Sequence, residues 1–182
     1  MALKATIIKA SISISDMDRS YYANHQLTIA QHPSETEQRL MARILAWLFH
    51  ASDQLEFTRG LSSTDEPEIW EKNDDQSNRL WIELGHPDEK RIKKASTRSQ
   101  KTTVYGYQGR LTTQWWRDCQ PLFSRLTGVS VYELPDSSVM EATKLLNRTM
   151  TLQATIQDQT LWLSDDNHSV EVVRQVLCSD ED

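Results

Sequence analysis

The sequence predicts a mixed α/β fold with an α-β-β-β-α-β succession in its middle and amphipathic strands at both ends. Strict alternation of apolar and polar residues at 8–15 and 150–157 is typical of half-buried strands. Between them, apolar residues recur at helical spacing from Leu40 to Leu48, and three short strand-like segments separated by polar loops follow. These observations favour a central layered core with an accessory sheet.

The length of 182 residues and a hydrophobic fraction of 38% suit one domain with its own core. We therefore expect a single domain over residues 1–182. Its core would span 33–148, and the accessory strands would lie in 1–32 and 149–182. Because these outer strands alternate in the same way, we expect them to form one antiparallel sheet.

The first helix has an N-terminal signature. Ser34 and Glu37 have the spacing of a capping box, and the apolar stripe that follows predicts a helix to about Ala51. Pro87 and Asp88 predict the start of a second helix, with proline in its first turn. The other predicted elements are strands at 25–31, 55–59, 68–72, 79–84, 102–107, 129–134, 161–163 and 170–173, and helices at 113–126 and 135–148.

The charge balance limits any nucleic-acid role to a local surface. Twenty Lys and Arg against 26 Asp and Glu give a net charge of −6, whereas proteins that coat DNA non-specifically are usually basic. One basic stretch stands out on the second predicted helix and just beyond it: Lys90, Arg91, Lys93, Lys94, Arg98 and Lys101. Contact with DNA or RNA is expected only there.

Several function classes find no support in the sequence. No apolar run approaches the ~20 residues of a membrane span, and neither a signal peptide nor a disulfide framework is visible, so we expect a cytoplasmic protein. The five His residues lack zinc-ligand spacing. There is no glycine-rich loop followed by Lys-Ser or Lys-Thr, so a P-loop NTPase is excluded.

Acidic residues are the best candidates for chemistry. Asp65, Glu66 and Glu68 precede or begin the second core strand, and Glu83 lies in an apolar stretch of the third. A carboxylate among apolar neighbours is costly unless it binds a metal, pairs with a cation or faces outward on an edge strand. Two acids from neighbouring strands match the oxygen ligands that Mg²⁺ prefers.

Four segments resemble the YaeQ family of small bacterial proteins: HPSETEQRLMARILAWL, FTRGLSSTDEPEIW, LWIELGHPDEKRIKKAS and RTMTLQATIQDQTLWLSDD. The resemblance covers essentially the whole chain. The family's fold is a variant of the PD-(D/E)XK, or restriction endonuclease-like, nuclease superfamily. The resemblance therefore implies an αβββαβ core and a Mg²⁺-dependent nuclease that hydrolyses phosphodiester bonds in DNA or RNA.

Matching that motif residue by residue implies a partial catalytic site. Glu68, after Pro67, stands where the superfamily has Asp after Pro, and Glu83 stands at the (D/E) position, so these two would hold the metal. Glu37 matches an acid often supplied by the first helix. The motif lysine is replaced by Gly85, so the basic residue would come from the next helix, as Lys94 or Lys93.

Each candidate also has a structural interpretation. Glu37 would complete the capping box. Lys94 lies away from the Ile92 stripe and would be solvated, while Arg91 and Lys93 would either contact phosphate or lie on a solvated helix face. The leading hypothesis is a Mg²⁺-dependent nuclease. One alternative is a catalytically degenerate nuclease fold that binds nucleic acid or a protein partner, for example in transcription. Another is an adaptor that uses the terminal sheet as its interface.

Overall fold

The computed structural model describes residues 3–180, with only the backbone at residue 62. In chain order the described elements are β1 (Thr6–Asp16), β2 (Tyr21–Gln31), α1 (Glu37–Phe49), β3 (Leu55–Phe57), β4 (Ile69–Lys72), β5 (Asn78–Leu84), α2 (Glu89–Arg98), β6 (Ser99–Gly106), α3 (Arg110–Phe123), β7 (Val129–Glu133), α4 (Asp136–Ala142), β8 (Thr149–Gln157), β9 (Thr160–Ser164), β10 (Ser169–Val173) and β11 (Gln175–Cys178). Two mixed sheets and four helices in these residues confirm the predicted α/β class, and the order α1-β3-β4-β5-α2-β6 is the predicted succession.

The chain divides into two compact units. The terminal unit contains described residues up to 49 together with 137–174, and the central unit contains 50–136 together with the described residues from 175 onward. The first helix, predicted as part of the core, thus groups with the terminal strands.

The five-stranded sheet of the terminal unit joins strands from both ends of the chain, as the alternation predicted. Its order is β10-β9-β8-β1-β2. The inward positions of β1 and β8 are buried: Ile8, Ala10, Ile12, Ile14, Met150, Leu152, Ala154 and Ile156. β1 and β8 run parallel, from Lys9 opposite Thr149 to Asp16 opposite Ile156, so the sheet is mixed rather than antiparallel. The alternation of side chains is the same in either direction, so it could not distinguish the two.

Helix α1 is buried almost throughout, since every residue from Leu40 to Phe49 is shielded from solvent. Its predicted capping box is wrong. The hydroxyl of Thr36 accepts the Arg39 N–H at 3.1 Å, and the Thr36 carbonyl accepts the Leu40 N–H. Ser34 instead contacts the His32 ring at 2.7 Å. Glu37 therefore begins the helix on its exposed first turn.

Two other helix boundaries also differ from expectation. Asp88 is the N-cap of α2 and accepts the Arg91 N–H at 2.8 Å, so Pro87 precedes the helix instead of lying in its first turn. The helix predicted to reach residue 148 ends as α4 at Ala142, and a 3₁₀ turn at Thr143–Leu145 follows it.

The six-stranded sheet of the central unit has the order β11-β7-β6-β5-β4-β3. One of its core clusters is formed by Ile92, Val104, Phe123, Val129 and Val131. Strand β11 was not predicted, because its four residues carry a register shift against β7 and none of them is fully buried. No helix in residues 3–180 is long and apolar enough to cross a membrane.

The corrected N-cap can be tested directly. Thr36→Ala removes the side-chain acceptor for the Arg39 N–H and is expected to lower the free energy of unfolding by about 1 kcal/mol. Urea denaturation measures this. The control is Ser34→Ala, which changes the residue that the sequence pattern had indicated; a cost equal to that of Thr36→Ala would contradict this assignment.

Candidate functional site

Glu68 and Glu83 lie near each other at one end of the β4–β5 pair, where both line one cavity. Ile69 faces Ile82 in the antiparallel register. The Glu68 N–H also donates to the Ile82 carbonyl, at 3.1 Å, so the regular pairing ends at Ile69. The β4–β5 hairpin thus brings the two predicted metal ligands together, although each is at least 94% buried, with exposures of 6% and 3%.

Glu83 is held by two donors. The Trp81 indole N–H donates to Oε1 at 2.7 Å, and the Arg91 Nε donates to Oε2 at 2.9 Å. Burial raises the pKa of Glu83, while hydrogen bonds from Arg91 and Trp81 oppose that rise and the Glu68 charge adds to it. β5 lies between β4 and β6, so Glu83 does not face outward on an edge strand. Of the three explanations for a buried acid, a cationic partner is present.

Arg91 also fixes the loop that precedes β4. Its Nη1 donates to the Thr64 carbonyl at 3.1 Å, and its Nη2 donates to the Glu66 carbonyl at 2.8 Å. The guanidinium therefore joins helix α2, strand β5 and the loop in one arrangement. The side chain that the sequence suggested for phosphate contact is engaged within the protein.

Gly60 makes room for the Glu68 carboxylate. A Cβ at this position would lie 3.0 Å from Glu68 Oε2, and the backbone φ of +55° favours glycine. Just before it, the Thr58 N–H donates to the Glu68 carbonyl at 3.1 Å. A larger residue at Gly60 would displace the carboxylate or strain the backbone.

A cavity of about 250 Å³ opens over this arrangement. Its lining includes both carboxylates, Gly60, Arg91 and His86. A cavity of this size holds several waters or one small anion such as a phosphate group. Among residues 3–180, however, no group of three or more His, Cys, Asp or Glu side chains is arranged to hold a metal ion. Any cation here would therefore rely on water or substrate oxygens beyond the two carboxylates.

His86 contributes a neutral polar group to the cavity. Its Nε2 lies 2.9 Å from the hydroxyl of buried Thr112, and burial lowers its pKa. Thr112 in turn packs against Gly106, where a Cβ would come within 2.4 Å of the threonine methyl group. His86 was not among the site residues predicted from the sequence; its proximity to Glu83 in the chain was the available signal.

The other predicted site residues lie elsewhere. Lys94 Nζ donates to Asp65 Oδ1 at 2.8 Å, and this hydrogen bond together with the lysine charge lowers the Asp65 pKa. Lys94 Nζ also donates to the Thr64 carbonyl at 3.2 Å. Lys93 pairs with Glu89 on the exposed face of α2. Glu37 belongs to the terminal unit. Neither lysine lines the cavity that contains the carboxylates.

Three further buried acids were not predicted from the sequence. Asp16, at the end of β1, accepts from Arg19 Nε at 2.6 Å. In the terminal unit, Glu35 accepts from Arg43 at 2.9 Å and from Arg39 at 3.2 Å. In the central unit, Glu71 accepts from Ser52 at 2.9 Å and from Arg79 at 3.0 Å. Arg43 stands at helical spacing within an apolar stretch, and that was the available signal for its burial. The burial of Glu71 was not predicted, because the residue pattern of the short strand β4 does not show which of its faces is buried.

The Glu83–Arg91 interaction can be measured by a double-mutant cycle. Glu83→Gln, Arg91→Gln and the double variant should give a coupling energy of about 1–3 kcal/mol, because the pair is largely shielded from solvent. The matched control is the exposed Lys93–Glu89 pair on the same helix, expected to couple by about 0.5 kcal/mol or less. Equal couplings for the two pairs would contradict this account of Arg91.

Protonation of His86 should destabilise the fold. Its pKa is lowered by burial, so the folded state binds fewer protons than the unfolded chain near and below the ordinary His value. Stability present at neutral pH is therefore lost as the pH falls through about 6.5. We expect His86→Gln to show a smaller stability loss between pH 7.5 and 5.5 in urea denaturation; a loss identical to that of the wild type would refute the assignment.

Comparison with known proteins gives one consistent family. The model of the YaeQ protein family matches residues 1–174. The YaeQ protein of Escherichia coli K12 is 48% identical over 172 residues, which cover 94% of this chain and 95% of that protein. The relative from Salmonella typhi is 47% identical with the same coverage.

Two solved structures have the same fold. The crystal structure of YaeQ from Xanthomonas axonopodis pv. citri superposes with a TM-score of 0.94 at 43% identity, covering 96% of this chain and 99% of that one. YaeQ from Pseudomonas syringae gives a TM-score of 0.91 at 34% identity, with 96% and 97% coverage. The chain belongs to the YaeQ family.

Proposed function

We propose that the protein is a metal-dependent phosphodiesterase of the nuclease-like type, acting on DNA or RNA at the pocket formed by Glu68 and Glu83. The observation that carries the proposal is the presence of two buried carboxylates in the lining of one cavity of about 250 Å³. The charge of Glu68 raises the pKa of Glu83, so the two carboxylates repel each other. Arg91 offsets part of this cost at Glu83, and a cation bound by both carboxylates would offset it further.

The donor set suits Mg²⁺. This ion is held by one or two carboxylates, keeps several waters, and accepts substrate phosphate oxygens as further ligands. Glu68 and Glu83 would hold it, and when bound it would supply charge neutralisation and an oriented, acidified water. The absence of a third protein ligand among the described residues agrees with this mode of binding.

The residues of the chain would have distinct roles around such a cation. Arg91 would keep the Glu83 carboxylate oriented and present positive charge to a phosphate in the cavity. Lys94, which extends to the loop beside Asp65, is the candidate to steady the attacking water. Glu37 is proposed to assist through water. Lys93, with the other exposed cations of the basic stretch, Lys90, Arg98 and Lys101, would contact the nucleic-acid backbone.

A second candidate is a catalytically degenerate member that binds nucleic acid or a protein partner, for example in transcription. The Arg91–Glu83 ion pair favours it, because the guanidinium already neutralises one carboxylate. Under either function the protein would work in the cytoplasm, where the thiols of Cys119 and Cys178 remain reduced.

Calorimetric titration with Mg²⁺ and Mn²⁺ tests the metal site. We expect the wild type to bind, and Glu68→Gln and Glu83→Gln each to weaken binding at least about tenfold through loss of a charged oxygen ligand. Glu71→Gln is the matched control, since Glu71 is a buried β4 carboxylate that does not line the cavity.

The same titration is repeated with a short oligonucleotide, because Mg²⁺ held by one or two carboxylates usually takes substrate phosphate oxygens as further ligands. Metal-stimulated cleavage that is lost in both cavity variants would support the nuclease. Oligonucleotide binding that weakens with salt but needs no metal would support the degenerate alternative. The absence of both metal binding and cleavage would overturn the leading proposal.

A further inference from the structure

Strand β2 is an unprotected edge of the terminal sheet. It is 11 residues long, YYANHQLTIAQ, and carries no Lys, Arg, Asp or Glu. Its one neighbour in the sheet is β1. Proteins usually protect such edges with short strands, charges, prolines or bulges, because a free edge pairs readily with another strand.

The other edges of the two described sheets are protected in these ways. β10 has 5 residues and includes Glu171, and β3 has 3 residues and includes Glu56. β11 has 4 residues and a register shift. Among these four edges, β2 is the one that combines length, regular register and lack of charge.

The register shows which backbone groups of β2 point outward. The N–H groups of Lys9 and Met17 donate to the β8 side, so odd-numbered residues of β1 bond to β8 and even-numbered residues bond to β2. The even-numbered residues of β1 face odd-numbered residues of β2, such as Ile12 opposite His25. The backbone N–H and C=O groups of the even-numbered β2 residues therefore point away from β1. The Arg43 side chain donates to the outward-pointing Ala30 carbonyl at 2.9 Å. Four further residues of β2 direct their backbone N–H and C=O groups outward: Tyr22, Asn24, Gln26 and Thr28.

We propose that β2 pairs antiparallel with β2 of a second copy of this chain, joining the two five-stranded sheets into one. The register that uses all four residues is centred on His25. It places each Tyr22 opposite a Thr28 and each Asn24 opposite a Gln26, and each facing pair exchanges both backbone hydrogen bonds.

Charge supports a second copy as the occupant. A chain of net charge −6 repels its own copies, so a self-association surface must avoid facing like charges. β2 meets this condition along its whole length. On the inward face, Tyr21, Ala23 and Leu27 are only half-buried, whereas Ile29 is fully buried, so pairing would cover apolar surface that the single chain leaves partly open.

Sedimentation equilibrium of the full chain tests the proposal. The wild type is expected at twice the 21.0 kDa chain mass. Asn24→Lys with Gln26→Lys would place lysines opposite lysines and should raise the dimer dissociation constant at least about tenfold. Thr151→Lys with Gln153→Lys is the control, since it makes the same charge change at exposed positions of β8, inside the sheet, and should leave the dimer intact.

Each outcome is decisive. A wild-type mass of one chain, or a dimer that survives the edge substitutions, would overturn the proposal. Hydrogen exchange on the wild type gives an independent measurement that needs no variant. The amides of Tyr22, Asn24, Gln26 and Thr28 should be protected at high protein concentration and lose protection on dilution, whereas protection that is independent of concentration would count against pairing. The result does not depend on metal binding, so it stands apart from the test of the nuclease.

Discussion

The arrangement around the cavity depends on the guanidinium of Arg91. It is the group that links a buried carboxylate of β5 to the carbonyls of the loop before β4. Three contacts from one planar, permanently charged group fix distances that flexible lysines would leave loose. The same contacts offset part of the cost of burying a carboxylate, which is why Glu83 can lie at the centre of a largely apolar strand.

The second constraint is the β4–β5 hairpin, which brings the carboxylates of Glu68 and Glu83 to one cavity. A shift of one residue would turn one carboxylate to the other side of the sheet. Gly60 then supplies the space in which the Glu68 carboxylate lies. The pocket is thus specified by backbone geometry first and by electrostatics second. Such preorganisation is what a site needs when it must receive a charged ligand without rebuilding itself.

Much of this could be predicted from the sequence. Period-two alternation indicated strands at both ends of the chain, and short strand-like segments between polar loops indicated the described strands of the central sheet other than β11. Because Glu68 and Glu83 belong to neighbouring strands of that series, they were expected to be close. The contacts of Arg91 could not be predicted, since a helical wheel shows which face a residue occupies but not which loop folds over it. The N-cap at Thr36 was missed because Ser34 fits the same pattern and only the preceding turn decides between them. The roles of Lys94 and Glu37 remain predictions.

The pairing of β1 with β8 has a consequence for synthesis on the ribosome. The first hairpin emerges early, but its parallel neighbour begins at Thr149, so the sheet stays incomplete until almost the whole chain has been made. The elements of the central unit from β3 to β7 lie in one continuous segment and can associate sooner. Until then the first hairpin lacks its parallel neighbour, which makes that interval a natural point for chaperone binding or misassembly.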